Sequence, residues 1–517
     1  MHLSRSIATV AAVGLTVLGL TTAAPALATT HPTPTHPTPL TPGKLFPTTP
    51  ITPEHGSVAK APPFAAPAGV TYDVTTFGYD LGRSGVNTAE AGLNPSNVGG
   101  IQQRWHMGFA TKGAFDATPV GASNVGTRLG TLNLIYVGDE RGGFGAMDAA
   151  TGTVVWQHKV GFQHTTCGDF PSGNAGVTGA ATLDRATNRV YVVGGDGKLY
   201  AFDMGTGDPA SGWTPTTVTS DPAHLHVYGG LTLDPTRHTI YAGLASYCDH
   251  TPYRGRLVAV DTGSRTVRSF VVIKNKTQSG GGIWGWGGAS LDPGGNPYVT
   301  TGNALPNGAT EATPYAEYVV KLSPSLAVLG AHHPTLTGRD VDFGATPTLI
   351  DLRITGCSLR LAAENKNGFL YIYNRDDIKA GPVETVPIAN GSAHNYFQGL
   401  PAYDRSSRTL YISNPGDGGR RHGVVALRFG TNCRTTLLWN SVAGPTASPV
   451  SPPVVANGVV FYADGTGRTV HAFTATTGHK LWTSAAGLFG GPVFGAPLVF
   501  DGRVFVPSRG GTLHAFG

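Results

Sequence analysis

Val190-Tyr-Val-Val-Gly-Gly-Asp-Gly-Lys-Leu-Tyr-Ala-Phe-Asp203 writes two short strands around a glycine turn. β-Branched and aromatic residues flank Gly194-Gly-Asp-Gly197 on both sides, the pattern of a buried antiparallel hairpin. Thr206-Gly207 follows and completes an Asp-x-x-Thr-Gly turn. The phrase recurs upstream as Leu134-Ile-Tyr-Val-Gly-Asp139 with Gly145-Ala-Met-Asp-Ala-Ala-Thr-Gly-Thr-Val-Val-Trp156. It recurs downstream as Val460-Phe-Tyr-Ala-Asp464 with Val470-His-Ala-Phe-Thr-Ala-Thr-Thr-Gly-His-Lys-Leu-Trp482. The last copy, Val504-Phe-Val-Pro-Ser-Arg-Gly-Gly-Thr-Leu-His-Ala-Phe516, stops before its fourth strand.

A unit of four antiparallel strands (A to D), returning about every 50 residues, is a propeller blade. A-strand entries fall near Thr118, Gly179, Gly230, Gly288, Thr346, Leu400, Pro453 and Ala496, which predicts eight blades. The fold class is all-β. Ile101-Gln-Gln-Arg-Trp-His-Met-Gly-Phe109 supplies the strand missing at the C-terminus and is expected to close the ring beside Phe516. Closure removes the free sheet edges that an open array would present.

Strand order sorts the loops onto two faces. B–C turns and D-to-A links share one face, called here the top; A–B and C–D turns share the other. Cys167 and Cys248 fall on the top, Cys357 and Cys433 on the bottom. Face assignment therefore favours Cys167–Cys248 and Cys357–Cys433 among the three pairings four cysteines allow.

Glycine (73) and proline (38) are abundant in the 517 residues and charged residues make up only 13%, which suits short strands and turns. The net charge of +5 is mild and its basic residues are scattered, which argues against a nucleic-acid partner. Residues 1–28 read as a secretory signal: His2 and Arg5, an apolar run from Ile7 to Leu20, and Ala26-Leu-Ala28 before the cut. Residues 29–68 form a Thr/Pro/His-rich linker, and 69–517 the propeller. A secreted chain with no membrane span after cleavage, and with disulfides, is the expectation.

The repeat resembles that of the quinoprotein alcohol dehydrogenases, eight-bladed propellers that hold pyrroloquinoline quinone (PQQ) at the top centre. Gly282-Ile-Trp284-Gly-Trp286 with Thr301-Gly-Asn303 is similar to the family's Trp-Gly-Trp and Gly-Asn. The resemblance implies that Trp284 stacks under the quinone and that Asn303 binds calcium; an indole offers a flat floor and an amide oxygen suits a hard cation. Gly338-Arg-Asp340-Val-Asp342-Phe-Gly resembles the family's Asp-x-Trp-Asp segment, one residue short and without its Trp. Asp340 or Asp342 matches the first Asp, and Asp340 is the candidate catalytic base. Glu364-Asn-Lys366-Asn-Gly368 is similar to the turn whose cation reaches the quinone oxygens, so Lys366 is a candidate cofactor contact. Asp116 and Asn395 stand where the family places two further contacts.

Departures accompany these matches. One cysteine, Cys167, replaces an adjacent pair, and Asp249 stands near where a metal-binding Glu belongs. The Trp expected before the seventh blade is missing from Pro445-Thr-Ala-Ser-Pro-Val450. No Cys-x-x-Cys-His occurs, from which no haem is expected and electrons would leave to an external acceptor. Two functions follow. One is a secreted dehydrogenase that oxidises an alcohol or sugar with PQQ and Ca2+. The other is a non-catalytic propeller that binds a glycan, polymer or protein. No Gly-x-Ser-x-Gly elbow, His-Glu-x-x-His or phosphate-binding loop points elsewhere.

Overall fold

The computed structural model describes residues 72–170, 172–305, 314–336, 340–389, 399–416, 420–444 and 451–517. The expected signal peptide, its linker and Asn395 lie outside the described residues, as does Pro445-Thr-Ala-Ser-Pro-Val450.

Eight antiparallel sheets make eight blades, and helix is confined to single 3-10 turns among the described residues. The first blade runs Val120–Thr127, Gly130–Gly138, Gly143–Asp148 and Val154–Lys159. Later blades begin with Thr182–Asp184, Thr232–Asp234, Ser290–Leu291, Thr348–Ile350, Ala402–Asp404, Val454–Ala456 and Leu498–Phe500. Each starts within three residues of its sequence-predicted entry. Gln103–Met107 pairs antiparallel with Thr512–Phe516, with Trp105 opposite Ala515, so the ring closes as the repeat predicts.

The Thr-Gly turns and tryptophans of the repeat lock neighbouring blades together. Trp156 donates its indole N–H to the Met204 carbonyl (3.0 Å) in the Asp203–Gly207 turn of the next blade. Trp105 does the same to Ala149 (3.1 Å) and Trp439 to Ala475 (3.1 Å). The turn glycine makes the docking possible. Gly207 has φ +75°, and a Cβ there would lie 2.6 Å from the Trp156 ring. Each joint thus packs an indole, buried at Trp105 and Trp156 and half-buried at Trp439, and satisfies its one donor.

Entry strands line the channel with unpaired inner edges, whose backbone groups need partners. The segment 72–87 supplies them. It pairs Asp73–Val74 with Gly121–Ala122 of the first blade and Val86–Asn87 with Val455–Ala456 of the seventh. Between these it accepts backbone N–H groups from Leu183 onto Thr75 (2.8 Å), Leu291 onto Leu81 (2.7 Å), Leu349 onto Gly82 (2.8 Å) and Tyr403 onto Ser84 (2.7 Å). Thr76 donates to Leu231 of the third blade and Asn87 to Val499 of the eighth. One strand-loop-strand therefore plugs the channel and touches every blade.

Candidate functional site

Both disulfides have the pairing that the faces favour. Cys167–Cys248 joins top-face loops and Cys357–Cys433 bottom-face loops, with Cα separations of 5.4 and 5.6 Å.

Three top-face loops from different blades meet beside the axis. The buried Asp342 carboxylate accepts the Trp284 indole N–H at 2.9 Å and lies 2.7 Å from the Lys366 ammonium. Lys366 also pairs with Asp340 at 2.9 Å. Its Nζ stands 4.9 Å from the Trp284 ring centroid, a cation–π contact. Burial disfavours the ammonium, but Asp342 and Asp340 outweigh it and hold the Lys366 pKa above its ordinary value. Asp342 is almost completely enclosed, whereas 33% of the Asp340 side chain is exposed.

Asn303 is buried one residue beyond Gly302, whose Cα packs so closely that a Cβ would lie 3.1 Å from Asp342 Oδ2. Asp249 accepts the Tyr253 hydroxyl. Burial raises its carboxyl pKa, the hydroxyl lowers it, and Asp342 raises it further, so Asp249 feels the same cluster. Two carboxylates pair with the ammonium and a third, Asp249, is near enough to feel their charges. Carboxylate oxygens with an amide oxygen are the donors that a hard divalent ion takes. The indole and ammonium are likewise the flat surface and cation that an anionic ortho-quinone needs. The donor types suit both groups; Lys366, held by its two aspartates, lies over one face of the Trp284 ring.

A cleft with a cavity of about 70 Å³ adjoins this cluster. Tyr228 belongs to both: it lines the cleft and meets the Trp284 ring edge-on at 6.1 Å. Phe77, Phe170, Trp286 and Phe494 supply apolar walls. Asp116 is here, gripped bidentately by Arg509 at 2.6 and 2.9 Å. The guanidinium lies 4.1 Å from the Phe494 centroid and 5.7 Å from that of Phe170. Behind it Glu140 is fully enclosed, with Ser172 donating to Oε2 at 2.6 Å. Burial and the Asp116 charge push the Glu140 pKa up to about 8.

Arg509, Glu140, Tyr228 and Phe77 were not picked out from sequence. Arg509 carried a usable signal: it occupies the B–C turn of the last repeat, where Lys366 stands in the fifth. Glu364, two residues before Lys366, is also fully buried, its carboxylate oxygens without a hydrogen-bond partner among the described residues, and burial holds its carboxyl well above the usual range.

An eight-bladed propeller with Thr-Gly/Trp joints, whose top loops gather an indole, a lysine and carboxylates, is a PQQ-type propeller. The chain belongs to the PQQ_2 family, described as outer membrane protein assembly factor BamB, which matches residues 102–279 and 430–517, about half of its length. Trp284, Asn303, Asp340 and Lys366 lie between the two matched stretches. The chain is similar to the quinohemoprotein alcohol dehydrogenase of Comamonas testosteroni, at 24% identity over 85% of this chain and 73% of that protein. It is similar to quinohemoprotein alcohol dehydrogenase ADH IIB of Pseudomonas putida at 25% identity, covering 81% and 70%. Its fold matches the solved europium-containing methanol dehydrogenase with TM-score 0.64 at 16% identity, over 86% of this chain and 98% of that one.

These relatives correct one expectation. Haem was excluded because the chain has no Cys-x-x-Cys-His, yet both alcohol dehydrogenases are quinohemoproteins by name. The exclusion does not stand. A missing thioether motif speaks of one covalent mode of attachment, and says nothing of haem held in other ways.

Proposed function

We propose that the chain is an exported dehydrogenase that oxidises an alcohol or sugar at the top-face cluster, with PQQ and calcium bound there. The supporting observation is the convergence of Trp284, Lys366, Asp340 and Asp342 from three separate loops into one set of direct contacts. PQQ, when bound, supplies a two-electron acceptor. Trp284 offers it a flat face, and Lys366 a fixed positive charge for its oxygens. Asn303 with Asp249 would hold the calcium, and Asp116 and Asn395 would contact the cofactor. Asp340 takes the hydroxyl proton of the substrate. Asp342 is less suited to that step, being enclosed with its oxygens already directed at Trp284 and Lys366. Electrons then pass to a separate acceptor.

Export, with cleavage after Ala28, is part of the proposal; the two disulfides are compatible with export. No helix among the described residues is long and apolar enough to cross a membrane. A second reading, a module that binds a glycan, polymer or protein, draws support from the aromatic cleft and from Lys366 already covering the indole. Dye reduction separates the two. After incubation with PQQ and Ca2+, the protein should reduce an artificial acceptor with primary alcohols or aldoses, and Asp340→Asn should lose most of that rate. A reconstituted protein that reduces no dye with any alcohol or sugar leaves the binding module.

A further inference from the structure

The channel plug reaches the ligand cleft. Phe77, at the turn of the 72–87 segment, is 2% exposed and lines the cleft with Trp286 and Tyr228. Its placement is over-determined. Gly78 turns the chain at φ +70°, and a Cβ there would lie 3.2 Å from Arg83 Cα. Arg83 is fully buried and donates from Nη1 to the Phe77 carbonyl and to Thr76 Oγ1, each at 2.6 Å. From Nη2 it reaches Thr232 Oγ1 and the Leu231 carbonyl of the third blade. A guanidinium enclosed without a carboxylate at contact is costly. Burial presses its pKa down to about 9. What it secures is the position of residue 77 relative to a blade. The Phe77 side chain then packs on Gly230, where a Cβ would come within 2.9 Å of it.

We propose that Phe77 is the floor of the ligand cleft, carried there by the N-terminal plug, and that its size sets how large a group the cleft admits. The proposal rests on the reading that the cleft beside Trp284 receives ligand; its geometry is independent of the redox chemistry. The cavity of about 70 Å³ is roughly half of the ~150 Å³ that an apolar protein cavity uses to hold benzene. Phe77→Ala deletes a phenyl ring, so the space it vacates has the shape of that probe.

The test uses the full chain and benzene, titrated calorimetrically, with the cooperativity of the thermal melt as the folding control. Folded Phe77→Ala should bind benzene saturably while the unsubstituted protein binds none. Folded Phe77→Ala that binds none, or unsubstituted protein that binds equally, overturns the proposal. If Phe77→Ala does not fold, Phe77→Leu read by xenon chemical shift replaces it; a xenon shift larger than that of the unsubstituted protein is expected, and an equal one refutes. In the dye assay Phe77→Ala should gain benzyl alcohol as substrate. An unsubstituted protein that reduces no dye sinks the dehydrogenase reading alone, because benzene binding is read without it.

Discussion

Replacing Asp342 by asparagine keeps shape and volume and removes one charge, and the local geometry leaves the amide no good orientation. With its oxygen toward Trp284 Nε1, at the present 2.9 Å, its NH2 faces the Lys366 ammonium at the present 2.7 Å. Turned over, the NH2 faces the indole N–H. Either way a donor meets a donor inside the protein. An unmet buried donor costs about 1–3 kcal/mol, and removing one partner of an enclosed ion pair about 3–5 kcal/mol. Lys366 retains Asp340, which lowers the second figure, so about 2–4 kcal/mol is expected for Asp342→Asn. Asp340→Asn is the companion: that carboxylate is one-third exposed, where an ion pair is worth about 0–1 kcal/mol. Guanidinium denaturation followed by tryptophan fluorescence measures both. Equal losses for the two variants would refute the argument, since Asp342 is both the more buried carboxylate and the acceptor of the Trp284 indole N–H.

Other consequences concern the joints and the cleft. Gly207→Ala must both hold φ +75° and displace the Trp156 ring, whereas Gly212→Ala, at φ +70°, meets nothing within 4 Å. The first should lose at least about 3 kcal/mol and the second about 1 kcal/mol by the same denaturation assay. Glu140, with its folded pKa raised to about 8, holds its proton in the folded protein while the unfolded chain has released it. Stability contributed this way is complete below about pH 4.5 and is lost as pH rises to about 8, at up to about 1.4 kcal/mol per unit. The groups facing Glu140 are Asp116, Arg509 and Ser172. Glu140→Gln should remove that slope; an unchanged profile of denaturation midpoint against pH would rule it out.

The blade repeat was legible because each joint reuses one chemistry. The Thr-Gly turns and D-strand tryptophans announce themselves in Trp156 and Gly207. The closing strand and both disulfides followed from strand order alone. The 72–87 plug was not legible, because it copies no blade: its bonds are made by backbone carbonyls such as Thr75 and Gly82, which any residue carries. For the site, the resemblance named Trp284 and Lys366, but their direct contact depends on how two loops from different blades fold toward the axis. No local pattern encodes that. Arg509 and Asp116 lie near opposite ends of the chain and meet only after ring closure.

The central claim is that the Trp284–Lys366 cluster holds the quinone. Its most direct test is a titration of the purified full-length protein with PQQ, with and without Ca2+, followed by tryptophan fluorescence. Saturable quenching at one site per chain is predicted, dependent on Ca2+ and lost in Trp284→Leu and Lys366→Gln. Quenching that neither substitution changes, or no saturable binding with Ca2+ present, would contradict it.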